Sequence, residues 1–285
     1  MEFFALNMLN AVAYGVILFL LASGLSLIYG VMGILNLAHG ALYMVGAYVG
    51  WSVAIQYGMN FWLAVLMGGL VAGLLGLIME RVFFRRLYKQ LNEQVLVTFG
   101  FIYILTNLTI WIWGADVRGP FTAPFLSGSF NIGQWTYPVS RVAIIFIGLI
   151  LMGILWWLID HTQVGAMVRA GMDDQETTMA LGINVRLVSA AVFFLGAFTA
   201  GFAGVIGAQL LGVNPGLALD VFRLTMVVLV VGGLGSVQGA LLGGLVIGII
   251  DAFGKALLPE LAMFFIYLTM VVVLMVRPRG ILGRR

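Results

Sequence analysis

The feature that most constrains this chain is a succession of apolar runs, each about as long as a membrane is thick. A helix needs about 20 mostly apolar residues to cross the hydrocarbon layer. The 285 residues are 62% hydrophobic and 9% charged, whereas soluble proteins carry about 25% charged residues. Lipid must therefore surround much of the chain. The runs lie at about 8–29, 31–56, 61–79, 94–114, 138–159, 187–212, 221–237, 239–256 and 261–276.

This pattern predicts an all-α fold in which residues 1–285 form a single transmembrane helical bundle. Two runs contain polar or glycine-rich interruptions, at Asn36-Leu37-Ala38-His39-Gly40 and at Gly232-Gly233-Leu234-Gly235-Ser236. An interruption frees backbone N–H and C=O groups, which are tolerated at membrane depth only inside protein or beside water. We therefore expect broken or re-entrant helices at both places, and eight to ten spans in all.

The placement of basic residues predicts the orientation, because Lys and Arg collect on the cytoplasmic side of a membrane. Ten of the 14 Lys and Arg residues fall in three segments: the loop after the third span, the loop 160–186 and the C-terminal tail. Nine crossings put all three segments on one side, predicted to be cytoplasmic. Met1 and the loop 115–137 are then predicted to face outward. The basic residues are Arg81, Arg85, Arg86, Lys89, Arg169, Arg186, Arg277, Arg279, Arg284 and Arg285.

The two interruptions share the pattern G-x-L-x4-G-A-L, at 33–42 and at 232–241. Glycine-interrupted helices in corresponding positions of a repeat point to a transport pathway, although Gly, Ala and Leu are abundant enough here for the match to be chance. We take six residues as candidates for lining or hinging a substrate path, with helix packing as the alternative for the glycines. They are Asn36, His39, Gly40, Gly233, Gly235 and Ser236.

The loop 160–186 is long and polar for a chain with otherwise short loops. It is expected to form one or two short helices. Asp173 and Asp174 are placed to start the second and Gly182 to end it, since carboxylates favour helix N-termini and glycine favours the position after a helix. Its apolar residues could form one face for a partner groove or for the membrane surface, and the acidic middle favours a protein partner. These residues are Met167, Ala170, Met172, Met179, Ala180 and Leu181.

No energy source is visible in the sequence. It lacks a Gly-x-x-x-x-Gly-Lys-Ser/Thr nucleotide-binding loop. It also has no cysteine, which excludes disulfides and thiolate metal sites. Asp251 and Lys255 have the spacing of a local ion pair on a helix, and a lone His39 in an apolar run is more often a hydrogen-bonded structural group than a proton relay. We expect no cofactor, no metal and no enzymatic activity. Two classes of transport protein remain: a passive channel, and a pump that is driven by another subunit.

The order of short motifs from about residue 24 to the C-terminus resembles that of bacterial branched-chain amino acid ABC permeases. The element around His39 and the glycine-rich element around Gly233 are specific in combination. The motifs are Ile28-Tyr29-Gly30-Val31-Met32-Gly33-Ile34-Leu35-Asn36-Leu37-Ala38-His39-Gly40, Gly46-Ala47-Tyr48, Ala180-Leu181-Gly182-Ile183-Asn184, Ala200-Gly201-Phe202-Ala203-Gly204, Asn214-Pro215, Gly232-Gly233-Leu234-Gly235-Ser236 with Gly239-Ala240, and Arg277-Pro278-Arg279-Gly280-Ile281-Leu282-Gly283.

This resemblance implies an ABC importer permease fold in the bacterial inner membrane, surrounded by lipid and without nucleic acid. It implies three kinds of partner: a second, related permease, two cytoplasmic ATP-binding subunits and a periplasmic substrate-binding protein. It also implies that 160–186 is the coupling loop, where such permeases carry E-A-A-x-x-x-G. Here Glu176 and Gly182 keep that spacing, but threonine stands at both alanine positions. We expect Arg169, Glu176, Leu181 and Gly182 to take part in ATPase coupling.

The resulting functional prediction is inward transport of branched-chain or related hydrophobic amino acids, driven by ATP hydrolysis in separate subunits. Relatives of the family also carry urea, short amides and other small solutes, and the permease motifs do not separate these substrates. A stand-alone channel or facilitator is the remaining alternative.

Overall fold

The computed structural model describes residues 2–87, 90–132 and 135–283. Met1 and three of the basic residues used to predict the orientation, Lys89, Arg284 and Arg285, lie outside the described residues. The helices are α1 Glu2–Met32, α2 His39–Trp51, α3 Phe61–Met79, α4 Leu91–Trp113, α5 Val139–His161, α6 Gln163–Asp173, α7 Gln175–Ala180, α8 Val185–Leu211, α9 Leu217–Gly232, α10 Val237–Leu257 and α11 Ala262–Val276. Wider π-helical turns extend α2 over Ser52–Gln56 and α3 over Glu80–Phe84.

Every predicted apolar run forms a helix, and the predicted helical membrane bundle is confirmed. Among the described residues, seven helices are long and apolar enough to cross a membrane. The remaining two runs are the shorter helices α2 and α9, which adjoin the two predicted breaks. The seven long helices are Glu2–Met32, Phe61–Phe84, Leu91–Trp113, Val139–His161, Val185–Leu211, Val237–Leu257 and Pro259–Val276.

The centre of the bundle is held by close approach of helix backbones at glycines. On α8, a Cβ added at Gly196 would lie 2.7 Å from the carbonyl oxygen of Gly24 in α1. A Cβ at Gly204 would lie 2.1 Å from the carbonyl oxygen of Tyr43 in α2. Small residues permit such contact and so increase van der Waals packing where lipid supplies no hydrophobic drive. The long helices α1 and α8 are accordingly the most buried of the spans.

The segment 115–137 contains structure that the all-α prediction omits. Ser129–Ile132 (β1) and Trp135–Pro138 (β2) form an antiparallel hairpin, with Ser129 opposite Pro138. Upstream of it, the backbones of Arg118 and Val213 exchange two hydrogen bonds, of 2.9 and 2.8 Å. These contacts fix the segment onto the chain that joins α8 to α9. Each strand has only four residues, which is too short for an alternation of polar and apolar residues to indicate a strand in the sequence.

Candidate functional site

The first break lies between α1 and α2, and it returns the chain into the bundle. α1 ends at Met32, and Gly33 adopts a φ of +66° that ends the helix. At the start of α2, the Nε2 atom of His39 lies 3.0 Å from the carbonyl oxygen of Leu21. Leu21 is about 16 Å back along α1 from Met32, at about 1.5 Å per residue. Residues 33–38 are therefore re-entrant, and α2 begins at the middle depth of the bundle.

Polar groups of this break are buried at that depth. Asn36 is fully buried; its side-chain oxygen accepts a 3.1 Å hydrogen bond from the backbone N–H of Ala38. The Asn36 side-chain nitrogen and the His39 Nδ1 atom have no hydrogen-bond partner within the described ranges. Gly40 packs against α9, because a Cβ there would lie 2.1 Å from the Ala218 carbonyl oxygen. Unpartnered buried polar atoms are rare in native proteins, so the break has hydrogen-bonding capacity available to a polar solute.

The second break lies between α9 and α10, against the end of α1. Gly233 and Gly235 have φ values of +110° and +76°, in the region that favours glycine. The Ser236 hydroxyl then accepts a 3.0 Å hydrogen bond from the N–H of Gly239 and caps the start of α10. A Cβ added at Gly235 would lie 3.4 Å from the Gly30 Cα. The break is thus packed against α1 as well as capped.

The C-terminal tail completes this second break. A helix leaves its last four carbonyl groups without helical partners. The backbone N–H of Ile281 donates to the Val231 carbonyl at 2.9 Å, and the N–H of Leu282 donates to the Gly232 carbonyl at 2.9 Å. The tail therefore caps α9 through its backbone. Sequence reasoning identified the tail as a motif but missed this role, because backbone hydrogen bonds between distant segments leave no local signal.

The polar loop 160–186 forms α6 and α7. The Asp174 side chain caps α7 by accepting hydrogen bonds from the N–H groups of Glu176 and Thr177, at 2.9 and 3.1 Å. Hydrogen bonds from the Thr177 hydroxyl and from these N–H groups lower the pKa of Asp174. Gly182 follows the helix with a φ of +83° and donates to the Met179 carbonyl. The predicted starting carboxylate and terminal glycine of α7 are thus both present, whereas Asp173 is the last residue of α6.

The predicted apolar face of this loop is divided between two environments. Met172 in α6 packs inward, with its Cε atom in the place that a Cβ of Gly30 would occupy. In contrast, the side chains of Met179 and Leu181 are 48% and 74% exposed. The end of α7 therefore presents apolar side chains outward, beside the main bundle. This exposed end is available for contact with another protein.

A cavity of about 340 Å³ joins the second break to α6. Its apolar wall includes Phe19 and Leu27 of α1 and Trp156 of α5, and its polar rim includes Asp160, Arg169, Gly235 and Ser236. The Arg169 guanidinium lies 3.6 Å from the Asp160 carboxylate and donates a hydrogen bond to the Ile159 carbonyl. We call this the inner cavity.

The structure places the ten predicted residues in four locations. Arg169, Gly235 and Ser236 come together around the inner cavity, although the first was predicted for coupling and the others for the path. Glu176 lies at the start of α7 and Leu181 and Gly182 lie just after its end, and none of the three lines that cavity. Asn36, His39 and Gly40 lie at the re-entrant break, and Gly233 packs against the C-terminal tail.

A bundle of membrane-length helices, interrupted at two glycine-containing breaks and bordered by a cavity and an exposed amphipathic helix, defines the class of membrane permeases. Non-helical backbone at membrane depth is a recurrent feature of transport proteins. Among the described residues there is no cluster of His, Cys, Asp and Glu that could hold a metal ion.

Comparison with known proteins agrees with this class. Residues 7–274 match the family described as branched-chain amino acid transport system / permease component. The high-affinity branched-chain amino acid transport system permease protein LivH of Escherichia coli K12 is 31% identical, over 99% of this chain and 96% of its own length. The permease protein LivM of the same strain is 27% identical, over 92% of this chain and 67% of its own length.

Among solved structures, PsaBC from Streptococcus pneumoniae in complex with Fab has the same fold, with a TM-score of 0.53 and 12% identity. The alignment covers 94% of this chain and 89% of the other. The chain belongs to the family of branched-chain amino acid transport system permease components, which are transport subunits rather than enzymes.

Proposed function

We propose that this chain is the permease subunit of an ABC importer that moves branched-chain or related hydrophobic amino acids inward, driven by ATP hydrolysis in separate subunits. The observation that carries the substrate class is the similarity to LivH over nearly the full length of both chains. The need for separate ATP-binding subunits is supported by the absence of a nucleotide-binding loop from the sequence.

A second, related permease is a further proposed partner. The chain is similar to both LivH and LivM, which are two different permease proteins of one bacterium. That similarity supports pairing between two homologous chains around one path. A periplasmic substrate-binding protein would deliver the amino acid, and the whole assembly would lie in the bacterial inner membrane.

The exposed end of α7 is the proposed contact for the ATP-binding subunits. Leu181 is 74% exposed at the end of a short capped helix, and such a side chain suits an apolar groove on a partner. α6 connects this surface to the bundle, because Met172 packs against Gly30 at the end of α1. Movement of the ATP-binding subunits would thus reach α1 and the inner cavity through α6. Arg169, which borders that cavity, and Glu176 and Gly182 in the α7 region share this coupling role.

The proposed substrate path includes the two breaks and the inner cavity. Asn36 and His39 supply buried polar atoms at middle depth, and Gly40, Gly233, Gly235 and Ser236 shape or cap the breaks. In this arrangement the spans shift around the path by alternating access. Few charged groups lie along it, which suits a substrate that must be released after transit.

The proposed orientation puts α6, α7 and the C-terminus in the cytoplasm and the start of α1 outside. The basic residues near α6 and in the tail support this assignment. The hairpin and residues 213–220 would then face the substrate-binding protein.

The decisive experiment is uptake of radiolabelled leucine by cells in which the gene is deleted and then restored. Excess unlabelled valine and excess urea serve as separate competitors. We expect restored uptake that valine inhibits, that urea leaves unchanged and that disappears when the partner ATPase is inactivated. Absence of leucine uptake, with urea or amide uptake instead, would contradict the substrate class. Uptake without any ATPase would instead identify a facilitator.

A further inference from the structure

A second cavity, of about 390 Å³, opens at the end of the bundle opposite α6 and α7. We call it the outer-end cavity. It lies between the N-terminal half of α1, the first turn of α5, the last turn of α8 and the last two turns of α10. Its polar lining comprises Asn7, Asn10, Arg141, Asp251 and Lys255, and its apolar lining comprises Ala13, Tyr14, Leu210, Leu211, Ala252 and Ala256. None of these residues is among the path or coupling candidates from the sequence.

Asp251 is the most unusual of these groups. It is only 6% exposed, although it lies in α10, one of the helices long and apolar enough to span a membrane. Its Oδ2 atom accepts a 2.7 Å hydrogen bond from Lys255, and the Lys255 nitrogen lies 5.3 Å from the centre of the Tyr14 ring. Ionisable groups inside spans are costly and commonly serve function. Because a carboxylate offers about four lone-pair positions, the Asp251 pair leaves capacity for a second cation.

The lining of the cavity also contains a second positively charged side chain. Arg141, at the start of α5, donates a hydrogen bond to the Asn10 side-chain oxygen of α1. Arg141 and Lys255 together give the lining two positive charges against the single negative charge of Asp251. This balance of charges suits a ligand that carries one carboxylate and one ammonium group.

The carboxylate of the ion pair on α9 is much more exposed than that of the Asp251 pair. Asp220 and Arg223 form an ion pair on α9, but their side chains are 59% and 55% exposed, and neither lines the outer-end cavity. That pair has the features of a solvated surface contact. The Asp251 pair instead combines a buried carboxylate, a neighbouring cavity and an apolar wall, which is the composition of a small-molecule site.

We propose that the outer-end cavity binds the zwitterion of a hydrophobic amino acid. Asp251 receives its ammonium group, Lys255 and Arg141 receive its carboxylate, and Leu210, Leu211 and the Tyr14 ring contact its side chain. The proposal rests on the proposed function and adds a specific loading site to it.

The location of the cavity suits this role. The outer-end cavity and the inner cavity both border α1, α5 and α10, at opposite ends of these helices. Between them α1 and α10 are in backbone contact, because a Cβ at Gly244 would lie 2.7 Å from the Gly15 carbonyl oxygen. A solute in the outer-end cavity is thus separated from the inner cavity by a tight helix crossing, as a loading site requires.

The test uses the natural lack of cysteine in this chain. Ala256→Cys places one thiol in the cavity lining, and Ser129→Cys places one on the exposed hairpin near the same end as a control. Each variant is purified in detergent with its partner permease and ATP-binding subunits, without the substrate-binding protein. The rate of reaction with a water-soluble maleimide is read from the mass of this chain. We expect leucine to slow labelling of Ala256→Cys but not of Ser129→Cys.

Recognition of both charges is tested by related compounds. We expect isocaproate, which lacks the ammonium group, and leucinamide, which lacks the carboxylate, to protect far less than leucine. Adding Asp251→Asn should raise the half-protecting leucine concentration about tenfold, equivalent to about 1.4 kcal/mol, whereas adding Asp220→Asn should leave it unchanged. Lys255→Gln provides a second disruption if Asp251→Asn prevents assembly. Equal protection by isocaproate, or protection unaffected by both lining variants, would overturn the site.

Leucine transport by the same preparations, reconstituted with the substrate-binding protein, separates the two proposals. Transport without protection would refute the outer-end site and leave the proposed function intact. Protection without transport would support the site and contradict the proposed function.

Discussion

At the scale of single residues, this bundle contains two kinds of helical glycine. A Cβ at Gly204 would lie 2.1 Å from the Tyr43 carbonyl oxygen and 3.0 Å from the Ala47 nitrogen, and backbone atoms cannot easily move away. A Cβ at Gly100, in α4, would meet no atom within 4 Å. The first glycine is therefore required for helix packing, and the second is not.

The matched substitutions Gly204→Leu and Gly100→Leu test this difference. Gly204→Leu should lower stability by about 3 kcal/mol or more, the upper end of the usual cost of overpacking, because α2 and α8 must separate. Gly100→Leu should leave stability within about 1 kcal/mol, since leucine is a better helix former than glycine. Thermal unfolding in detergent and the yield of membrane-inserted protein provide the measurement. Similar losses for both would contradict the assigned packing role.

His39 offers a second prediction at this scale. A glutamine side chain can also donate a hydrogen bond to the Leu21 carbonyl, so His39→Gln should retain most leucine uptake if His39 only secures the re-entrant break to α1. His39→Leu removes the polar group and should lower stability by about 1 kcal/mol, the net contribution of a typical hydrogen bond. Uptake and assembly are measured together. A large loss of uptake in His39→Gln with normal assembly would show that the proposed path requires the imidazole ring itself.

At the scale of single elements, a mutation at the end of α7 tests the proposed contact with the ATP-binding subunits. Leu181→Glu puts a charge on a side chain that is already 74% exposed, so the chain itself should fold normally. If the end of α7 fits an apolar groove of the ATP-binding subunit, transport should be abolished, since burial of an unpaired charge is costly. Val117→Glu, at a residue that is 78% exposed in the segment 115–137, is the control. Unchanged uptake in Leu181→Glu would remove the coupling assignment.

The C-terminal tail gives a test of one backbone hydrogen bond. Ile281→Pro removes the N–H that donates to the Val231 carbonyl, whereas Ile281→Ala removes most of the side chain but keeps that N–H. We expect Ile281→Pro to be less stable than Ile281→Ala by about 1 kcal/mol or more, because the α9 carbonyl loses its partner. Thermal unfolding compares the two. Equal stability would show that the tail acts through its side chains.

The sequence predicted where helices run and where they break, because apolar length and glycine placement are local signals. It predicted a broken or re-entrant helix around 36–40 but not which of the two, since both are equally apolar; the contact from His39 to Leu21 decides it. The sequence also did not predict that the α6–α7 apolar face is divided. Met172 packs inward because Gly30 has no side chain and leaves space for it. The outer-end cavity escaped prediction because its lining comes from four distant helices.

At the scale of the whole molecule, the proposed orientation makes a direct prediction. Ser129→Cys and Gln163→Cys put single exposed thiols at opposite ends of the bundle. In intact cells stripped of their outer membrane, a membrane-impermeant maleimide should label Ser129→Cys and leave Gln163→Cys unlabelled. Permeabilised cells, in which both should react, provide the control. The reverse pattern would invert the assigned topology.

The C-terminal tail also relates this fold to the order of its synthesis. Chains fold from the N-terminus as they are made, yet the carbonyls that end α9 are satisfied by Ile281 and Leu282, which are synthesised after both α10 and α11. The join between α9 and α10 therefore stays unfinished until the segment that follows α11 has been made. A chain that stopped after Val276 would retain every described helix, but α9 would end with unpaired carbonyl groups.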